Sequence, residues 1–487
     1  MRYRSLMSVI VLVLLALAAC RAPEQAPQPT DDPTKVAVIL VPVTPTPIPV
    51  PTSTTIVETY TVRNGDTLGA IAARYDLSIE ELMKLNGLAN PNSLQIGQVL
   101  KVTLQVTRSA PGDSLLPNSE VVYSPAYLGF DLNEFVNQAN GYLASYREKV
   151  DGEMLTGSQI IQLVAERFSV GPRVLLALLE YQGGWVTGTN LTQSQLSYPM
   201  GLQDGTRGTL FYQTSWAANH LNEGYYGKLS GQLPAYKFKD RTRARLAPNV
   251  NAGTAAVQNV LALTSSWDAW QNQIGPDGFI ATYRSLFGDP VAIEPLLPPD
   301  LKQPPLRLPW NDGATWFYTG GPHSAWGDLA AWSAIDVTPS DMSGSGSCNA
   351  SRDWALAVAP GRVIRAERGR VMLSLSNNNF QGTGWVLLYM HMANAGRAAV
   401  GAQLNAGDRV GHPSCEGGDA DATHLHLARL YNGQWIDSNT VPFILSGWQV
   451  VEATQQYDGK LVRGAESREA LNGRDANKNA ILADGGR

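Results

Sequence analysis

The chain has 487 residues, of which 44% are hydrophobic and 16% charged, and its formal net charge is −5. At roughly 150 residues per domain, this length predicts about three domains, with enough apolar material for several cores. The balance is acidic, and no basic stretch is dense enough to suggest a nucleic-acid-binding surface. Tryptophan and tyrosine are frequent (12 and 18), which is a weak indication of carbohydrate stacking.

The first 19 residues predict an export signal rather than a folded domain. Arg2 and Arg4 precede the apolar run LMSVIVLVLLALAA, which is too short for a stable membrane span. The run ends in LAAC, which resembles the lipobox of bacterial lipoproteins, and this resemblance implies that Cys20 carries lipid. We therefore expect an extracytoplasmic lipoprotein anchored to a membrane at the cell surface. Residues 20–57 follow as a Pro/Thr-rich tether of extended polyproline II character.

Residues 58–104 predict a compact strand–helix–helix–strand unit. Ser78 and Glu81 have the spacing of a capping box at the start of the second helix. The motifs GDTL, LNGL and IGQVLKV resemble those of the LysM module, which binds glycans containing N-acetylglucosamine. The resemblance implies that glycan contacts come from the start of the first helix and the loop after the second, at Gly65, Asp66, Thr67, Asn86 and Leu88.

Residues 118–290 have mostly helical patterns. GSQIIQLVAERF places apolar residues at helical spacing, and Pro172 fits the first turn of the helix that follows. With Glu180, PMGLQ and NVNAGTA in this order, the region resembles the lysozyme-like domain of lytic transglycosylases. The resemblance implies that Glu180 is a catalytic acid, although Tyr181 stands where that family usually has serine. The alternative is a structural glutamate paired with an arginine such as Arg173.

Changes in amino-acid composition divide the rest of the chain into three segments. Residues 291–309 are proline-rich and predict a linker, residues 310–450 predict a β-rich domain, and residues 451–487 predict a polar surface tail. Five of the six histidines lie after residue 320. In ATHLHLARL, His424 and His426 stand two apart, so a strand would direct both rings to one face.

A zinc site explains this pattern. A catalytic zinc takes three protein donors and keeps one position open for water, and His323, Asp336 and His426 would supply two imidazoles and one carboxylate. The motifs GGPHSAW, WSAIDVTP, VLLYMHM, AGDRVGHPSCEGG and ATHLHLAR resemble those of the lysostaphin-type zinc metallopeptidases, which cut peptides of bacterial peptidoglycan. The resemblance implies one Zn²⁺ on these three residues. It makes His424 the expected general base and His391 the expected oxyanion-stabilising group, with these two roles exchangeable.

The spacing of the first two ligands departs from that family. His323 and Asp336 are 336 − 323 = 13 positions apart, which indicates an insertion. Asp328, inside that insertion, is therefore an alternative ligand.

The cysteines predict a disulfide. If Cys20 carries lipid, Cys348 and Cys415 remain, and an even pair in an exported chain indicates one bridge. A reduced pair holding an accessory metal is the alternative.

Together these patterns predict a multidomain α+β protein with a βααβ LysM module, a mostly α lysozyme-like domain and a mostly antiparallel β metallopeptidase domain. The expected function is a cell-wall hydrolase: a zinc endopeptidase that cleaves peptide stems or cross-links of peptidoglycan. Peptidoglycan and membrane lipid are the expected partners, with no nucleic acid. The alternatives are a non-catalytic wall-binding scaffold or activator of other hydrolases, and a bifunctional enzyme that also has lytic transglycosylase activity.

Overall fold

A computed structural model describes residues 54–62, 66–75, 77–95, 97–342, 346–376, 378–453 and 455–485. The predicted signal peptide, Cys20 and most of the predicted tether lie outside these residues. Within them, no helix is both long and apolar enough to cross a membrane. Helices are combined with mainly antiparallel sheets, which confirms the mixed α and β class.

The N-terminal region, residues 54–106, is a two-stranded antiparallel sheet with two helices between its strands. Its elements are β1 (Thr54–Thr61), α1 (Leu68–Arg74), α2 (Ile79–Asn86) and β2 (Val99–Val106). The predicted capping box is present, because Ser78 accepts from the Glu81 amide and Glu81 accepts from the Ser78 amide. The predicted end of the tether at residue 57 is wrong, since β1 begins at Thr54 and Ile56 is buried against Val106.

The middle region, residues 108–290, consists mainly of helices. Its elements are β3 (Arg108–Ser109), α3 (Asn118–Val121), a 3₁₀ turn (Pro125–Tyr127), α4 (Leu132–Ala139), α5 (Tyr142–Ser145), β4 (Arg147–Val150), β5 (Glu153–Thr156), α6 (Gly157–Phe168), α7 (Pro172–Gly183), α8 (Gln193–Ser197), α9 (Leu210–Ser230), β6 (Ala235–Lys237), β7 (Arg243–Arg245), α10 (Ala252–Thr264), α11 (Trp267–Gln273) and α12 (Phe279–Phe287). Helix α9 packs along α10 and against α6. Gly224 permits this approach, because a Cβ there would lie 2.5 Å from the Ala256 Cα.

The C-terminal region, residues 310–485, is built from strands. They are β8 (Thr315–His323), β9 (Ala334–Thr338), β10 (Ala355–Leu356), β11 (Gly361–Glu367), β12 (Arg370–Ser374), β13 (Trp385–Met390), β14 (Gln403–Leu404), β15 (Arg409–Gly411), β16 (Leu425–Tyr431), β17 (Gln434–Trp435), β18 (Ile444–Leu445), β19 (Trp448–Glu452), β20 (Gly459–Arg463), β21 (Glu466–Glu469) and β22 (Ala480–Leu482). The main sheet has the order β14-β11-β12-β13-β16-β9-β8-β22, and β17 pairs with β16.

Both faces of the main sheet are buried at its central strands β9, β13 and β16. On β13, Leu387 and Tyr389 enter a core inside the C-terminal region, while Leu388 and Met390 point to the opposite face and join the core of the middle region. Strand residues alternate between faces, so a strand covered on both sides is apolar at every position. This explains why WVLLYM is buried throughout.

Polar contacts also hold the middle and C-terminal regions together. The Trp435 amide donates to the Tyr226 hydroxyl at 2.8 Å, and its indole N–H donates to the Phe168 carbonyl at 3.2 Å. Ser169 donates to the Gly433 carbonyl at 2.6 Å. The proline-rich segment 291–309 joins the two regions, and its Leu296 is buried in their shared core. The helices of the middle region therefore form a layer packed on one face of the main sheet.

The prediction of a polar surface tail after residue 450 is wrong. Strands β19, β20 and β21 form an antiparallel sheet with β18, and β22 completes the edge of the main sheet by pairing Ile481 with Trp316. Leu461 and Ile481 are fully buried. The many charged residues here lie in turns or on outer faces. The segment is therefore polar on average, although a few of its apolar side chains are buried in the core.

The predicted disulfide between Cys348 and Cys415 is confirmed, with its two Cα atoms 5.2 Å apart. It joins the loop after β9 to the loop that leads into β16. Glu416, next to one of the cysteines, accepts a hydrogen bond through its carbonyl from His391 at 3.2 Å. The bridge therefore fixes a loop that orients one of the predicted catalytic histidines.

Replacing both cysteines, Cys348→Ser with Cys415→Ser, should lower the free energy of unfolding by up to about 4 kcal/mol, because the bridge closes a long loop in the unfolded chain. Urea unfolding of the wild type and the double variant measures this difference. An unchanged midpoint would mean that the hydrogen bonds of Thr423 to Ser347 and Asn349 hold the loops without the bridge.

Candidate metal centre

The register of three adjacent strands brings together His323, Asp336 and His426, hereafter the His–Asp–His trio. His426 on β16 lies directly across from Asp336 on β9, and His323 ends β8 on the other side of β9. Asp336 Oδ1 lies 3.4 Å from His323 Nε2 and 3.3 Å from His426 Nδ1. The two histidine nitrogens are 2.9 Å apart. All three side chains are buried.

The trio fits a divalent metal ion. Donors bound tetrahedrally at zinc distances lie roughly 3.3 Å from one another, close to the two separations that involve Asp336. Asp336 Oδ1 is also buried without a hydrogen-bond partner in the described part of the chain. An unpaired carboxylate oxygen is costly in a protein interior, and a cation on this set would remove that cost. Two imidazoles and a carboxylate are donors that zinc accepts readily.

The surroundings prepare the trio for metal binding. His323 Nδ1 donates to the Gly321 carbonyl at 2.8 Å, which leaves Nε2, on the side of Asp336 and His426, with its lone pair for a metal ion. Burial lowers the pKa of His323 to about 4, so the ring is neutral at neutral pH. Burial alone would raise the pKa of Asp336, but the adjacent imidazoles of His323, His424 and His426 hold it well below its usual value. The carboxyl is therefore ionised.

His391 and His424 lie beside the trio. Their rings are 4.4 Å apart, and His424 Nε2 is 3.6 Å from Asp336 Oδ1. His424 Nδ1 donates to the Ala422 carbonyl at 2.8 Å, so its Nε2 lone pair points toward the trio. His391 follows β13 with a left-handed φ of 61°, a strained conformation that is common at functional sites. Burial lowers the pKa of His391 to about 3.

The insertion between the first two members of the trio is a loop that contacts the middle region. Asp328 in this loop accepts a hydrogen bond from Asn219 at 2.6 Å and lies outside the trio. Trp326 is contacted by two guanidinium groups, Arg167 at 4.9 Å and Arg370 at 5.7 Å from the ring centre. The alternative ligand Asp328 is therefore engaged elsewhere, and the loop belongs to the interface between the regions.

Three neighbours of the trio were missed in the sequence. Tyr457 stacks on His323 with ring centres 4.2 Å apart, and Gln456 receives a hydrogen bond from the Ser324 amide at 3.0 Å. Gly320 lies opposite Asp336, where a Cβ would come within 2.4 Å of Asp336 Oδ2. Tyr457 and Gln456 lie in residues 451–487, for which the sequence predicts a polar surface tail. The alternating pattern of GKLVR just after them was the available signal for a hairpin.

The predicted glycan-binding residues are partly occupied by internal contacts. Thr67 caps α1, and Asp66 accepts from the Tyr60 hydroxyl at 2.7 Å. Asn86 ties α2 to β2 through two hydrogen bonds with the Lys101 backbone, at 2.6 and 2.7 Å. Leu88 is half-buried against the small core, and Gly65 lies outside the described residues. Glycan binding by this set stays a prediction.

Glu180 is held by its own loop. Its carboxylate accepts hydrogen bonds from the Val186 amide at 2.8 Å, the Thr187 amide at 3.0 Å and the Thr187 hydroxyl. The suggested pairing with Arg173 is wrong, since Arg173 pairs with the buried Glu120 at 2.7 Å. Catalysis by Glu180 stays a prediction, and these contacts give the side chain a structural role.

Comparison with protein families finds two matching segments. Residues 60–103 match the LysM domain, which confirms that part of the sequence prediction. Residues 114–300 match the N-terminal domain of LasA. The likeness of this region to lysozyme-like domains stays a prediction.

The chain is similar to Protease LasA of Pseudomonas aeruginosa. The two are 27% identical over 315 residues, which is 60% of this chain and 69% of the protease. An N-acetylmuramoyl-L-alanine amidase (sle1) of Staphylococcus saprophyticus is 46% identical over 56 residues, which is 12% of this chain and 17% of the amidase.

Among solved structures, the M23 metalloprotease pseudoalterin from the deep sea is 25% identical over 34% of this chain and 94% of its own, with a TM-score of 0.29. The catalytic domain of lysostaphin from Staphylococcus simulans is 20% identical over 26% of this chain and 90% of its own, with a TM-score of 0.19. Scores this low do not establish a common fold.

Gly320→Ala should weaken zinc binding at least about tenfold, because the new Cβ would push the Asp336 carboxylate out of the trio. Zinc affinity measured by competition with a chromogenic chelator tests this. Gly205→Ala is the matched control, since a Cβ there has open space. Equal zinc affinity in Gly320→Ala and wild type would contradict the assignment of Asp336 as a ligand.

Proposed function

We propose that this protein is a zinc-dependent endopeptidase that cleaves peptide stems or cross-links of peptidoglycan. The observation that carries the proposal is the convergence of the His–Asp–His trio with the rings of two further histidines, His391 and His424. The similarity to Protease LasA supports a peptidase, and the LysM match supports a wall-associated or extracellular setting. Three ligands would leave a coordination position open, as catalytic zinc sites do.

In this proposal, His323 Nε2, Asp336 Oδ1 and His426 Nδ1 hold one Zn²⁺. When bound, the ion would supply Lewis-acid activation of a water molecule and of the scissile carbonyl. The neutral state of His323 and the ionised state of Asp336 are the protonation states that metal binding requires. The stacked Tyr457 and the Gly321 carbonyl fix the orientation of the His323 ring.

His424 is the proposed general base. Its Nδ1 proton is committed to the Ala422 carbonyl, so Nε2 has a free lone pair facing the trio. It also keeps more solvent access than the other site histidines, with its side chain 15% exposed. It can therefore exchange protons with water and later deliver one to the leaving amine.

His391 is the proposed oxyanion-stabilising residue. Its Nδ1 donates to the Glu416 carbonyl, so donation from Nε2 requires a second proton. Burial opposes that proton in the resting site. The negative charge that develops on the substrate oxygen during attack would favour it, so the interaction would strengthen in the transition state.

The setting of the reaction is proposed from the N-terminal half. The LysM module would hold glycan and keep the peptidase near its peptide substrates. Lipid on Cys20 would anchor the chain to a membrane, with the Pro/Thr-rich segment as a spacer. These proposals place the protein outside the cytoplasmic membrane, with peptidoglycan and lipid as its partners.

His323→Ala and His426→Ala should lose both zinc and peptidase activity, because each removes a proposed ligand. His391→Ala and His424→Ala should keep one zinc per chain but lose roughly 100- to 10,000-fold in turnover. Zinc is measured by elemental analysis, and activity by new amino termini released from purified peptidoglycan. His220→Ala is the control, since that ring pairs with Glu223 in the middle region.

The products and the metal content separate this proposal from its two alternatives. A non-catalytic scaffold would release no new amino termini and would need no stoichiometric zinc. A bifunctional enzyme would also release anhydro-sugars, and Glu180→Gln would abolish them. Retention of zinc by His426→Ala together with its loss in His424→Ala would reverse the assignment of the pair.

A further inference from the structure

The hairpin of β6 and β7 carries the densest run of positive charge among the residues that the structure describes. KFKDRTRAR, residues 237–245, has a lysine or arginine at every second position and one carboxylate, Asp240. This concentration stands out in a chain with a net charge of −5. Neither the proposed zinc site nor the LysM module uses these residues.

Some of these cations line a cleft between the N-terminal and middle regions. The cleft has a volume of about 420 Å³ and is lined by Arg74, Tyr75, Leu104, Lys237, Phe238, Arg241 and Arg243. Four of these seven residues are cations and none is an acid. We call this the basic cleft.

The positive charge of the basic cleft is only partly neutralised. Glu58 of β1 pairs with Arg243 at 3.1 Å and lies 3.8 Å from the Lys237 ammonium. Arg74 donates to the Tyr60 hydroxyl at 2.9 Å, and Arg241 makes no ion pair with a carboxylate of the described ranges. Tyr60 in turn donates to Asp66 at 2.7 Å. Two carboxylates, Glu58 and Asp66, therefore lie beside four cations, which leaves an attractive potential for an anion.

Local contacts hold the cleft in shape. Asp240 accepts from the Thr242 amide and hydroxyl, at 3.0 and 2.6 Å, and this turn fixes the backbone of Arg241. Phe238 packs edge-on against the rings of Trp267 and Trp270 at 5.5 and 5.2 Å. A ligand therefore meets cations whose backbone positions are already set, which lowers the entropy cost of binding.

We propose that the basic cleft binds a linear polymer with repeating phosphate groups, such as a phosphate-linked wall polymer. Guanidinium groups match phosphate oxygens through paired hydrogen bonds. Tyr75, Phe238 and Leu104 supply an apolar wall for the carbon units between phosphates. A single chain can enter the cleft, whereas a flat bilayer surface cannot reach Arg243, whose side chain is 17% exposed. This proposal is independent of the peptidase activity.

The test is binding of linear polyphosphate to the full chain at low salt, measured by fluorescence anisotropy of a labelled polymer. The double variant Lys237→Gln with Arg241→Gln should lose roughly tenfold or more in affinity. Both side chains are well exposed, so the fold does not depend on them. The control double variant, Arg352→Gln with Lys460→Gln, removes two exposed cations elsewhere and should bind like wild type.

Two comparisons decide the chemistry of the ligand. Polyphosphate should bind more tightly than polygalacturonate, a polymer of carboxylates, and binding should weaken as salt rises. Equal losses in the two double variants would mean general attraction to positive charge and would overturn the proposal. Tighter binding to phosphatidylglycerol vesicles, lost in the cleft variant, would assign the surface to a membrane instead.

Discussion

The candidate site depends on the alternation of side chains along β16. Leu425 and Leu427 enter the core of the C-terminal region, while His426 between them points to the opposite face. The strand pairing of His426 with Asp336 then determines which side chains lie next to each other. A shift of β16 by one residue would point the His426 ring into the apolar core on the opposite face of the sheet. Beyond the site, the same face is covered by the helices of the middle region. The apolar cores on both faces therefore fix the register that assembles the trio.

The histidine-rich domain was predictable because its candidate metal ligands occur in short local sequence motifs. His424 and His426 stand two apart in an apolar run, which places both rings on one side of a strand. The LysM module was predictable for a similar reason, since its capping box and strand motifs lie within 50 or so residues of one another. Cysteine counting gave the disulfide. In each case the decisive residues are few, specific and closely tied to one element.

The remaining features depend on long-range contacts that no local pattern reveals. Tyr457 reaches His323 because β19 and β20 form a hairpin beside β8, whereas its own stretch is polar on average. The Asn86 side chain hydrogen-bonds to the Lys101 backbone, and Arg173 forms an ion pair with Glu120 rather than with Glu180. The helices of the middle region form a layer packed on one face of the main sheet. Amino-acid composition does not reveal this packing.

Anomalous diffraction at the zinc absorption edge from crystals of the full chain tests the central claim most directly. We expect one strong peak within bonding distance of His323 Nε2, Asp336 Oδ1 and His426 Nδ1, with His391 and His424 nearby but not coordinating. A peak coordinated by His424 in place of His426, or zinc-soaked crystals with no peak at the trio, would contradict the proposed metal centre.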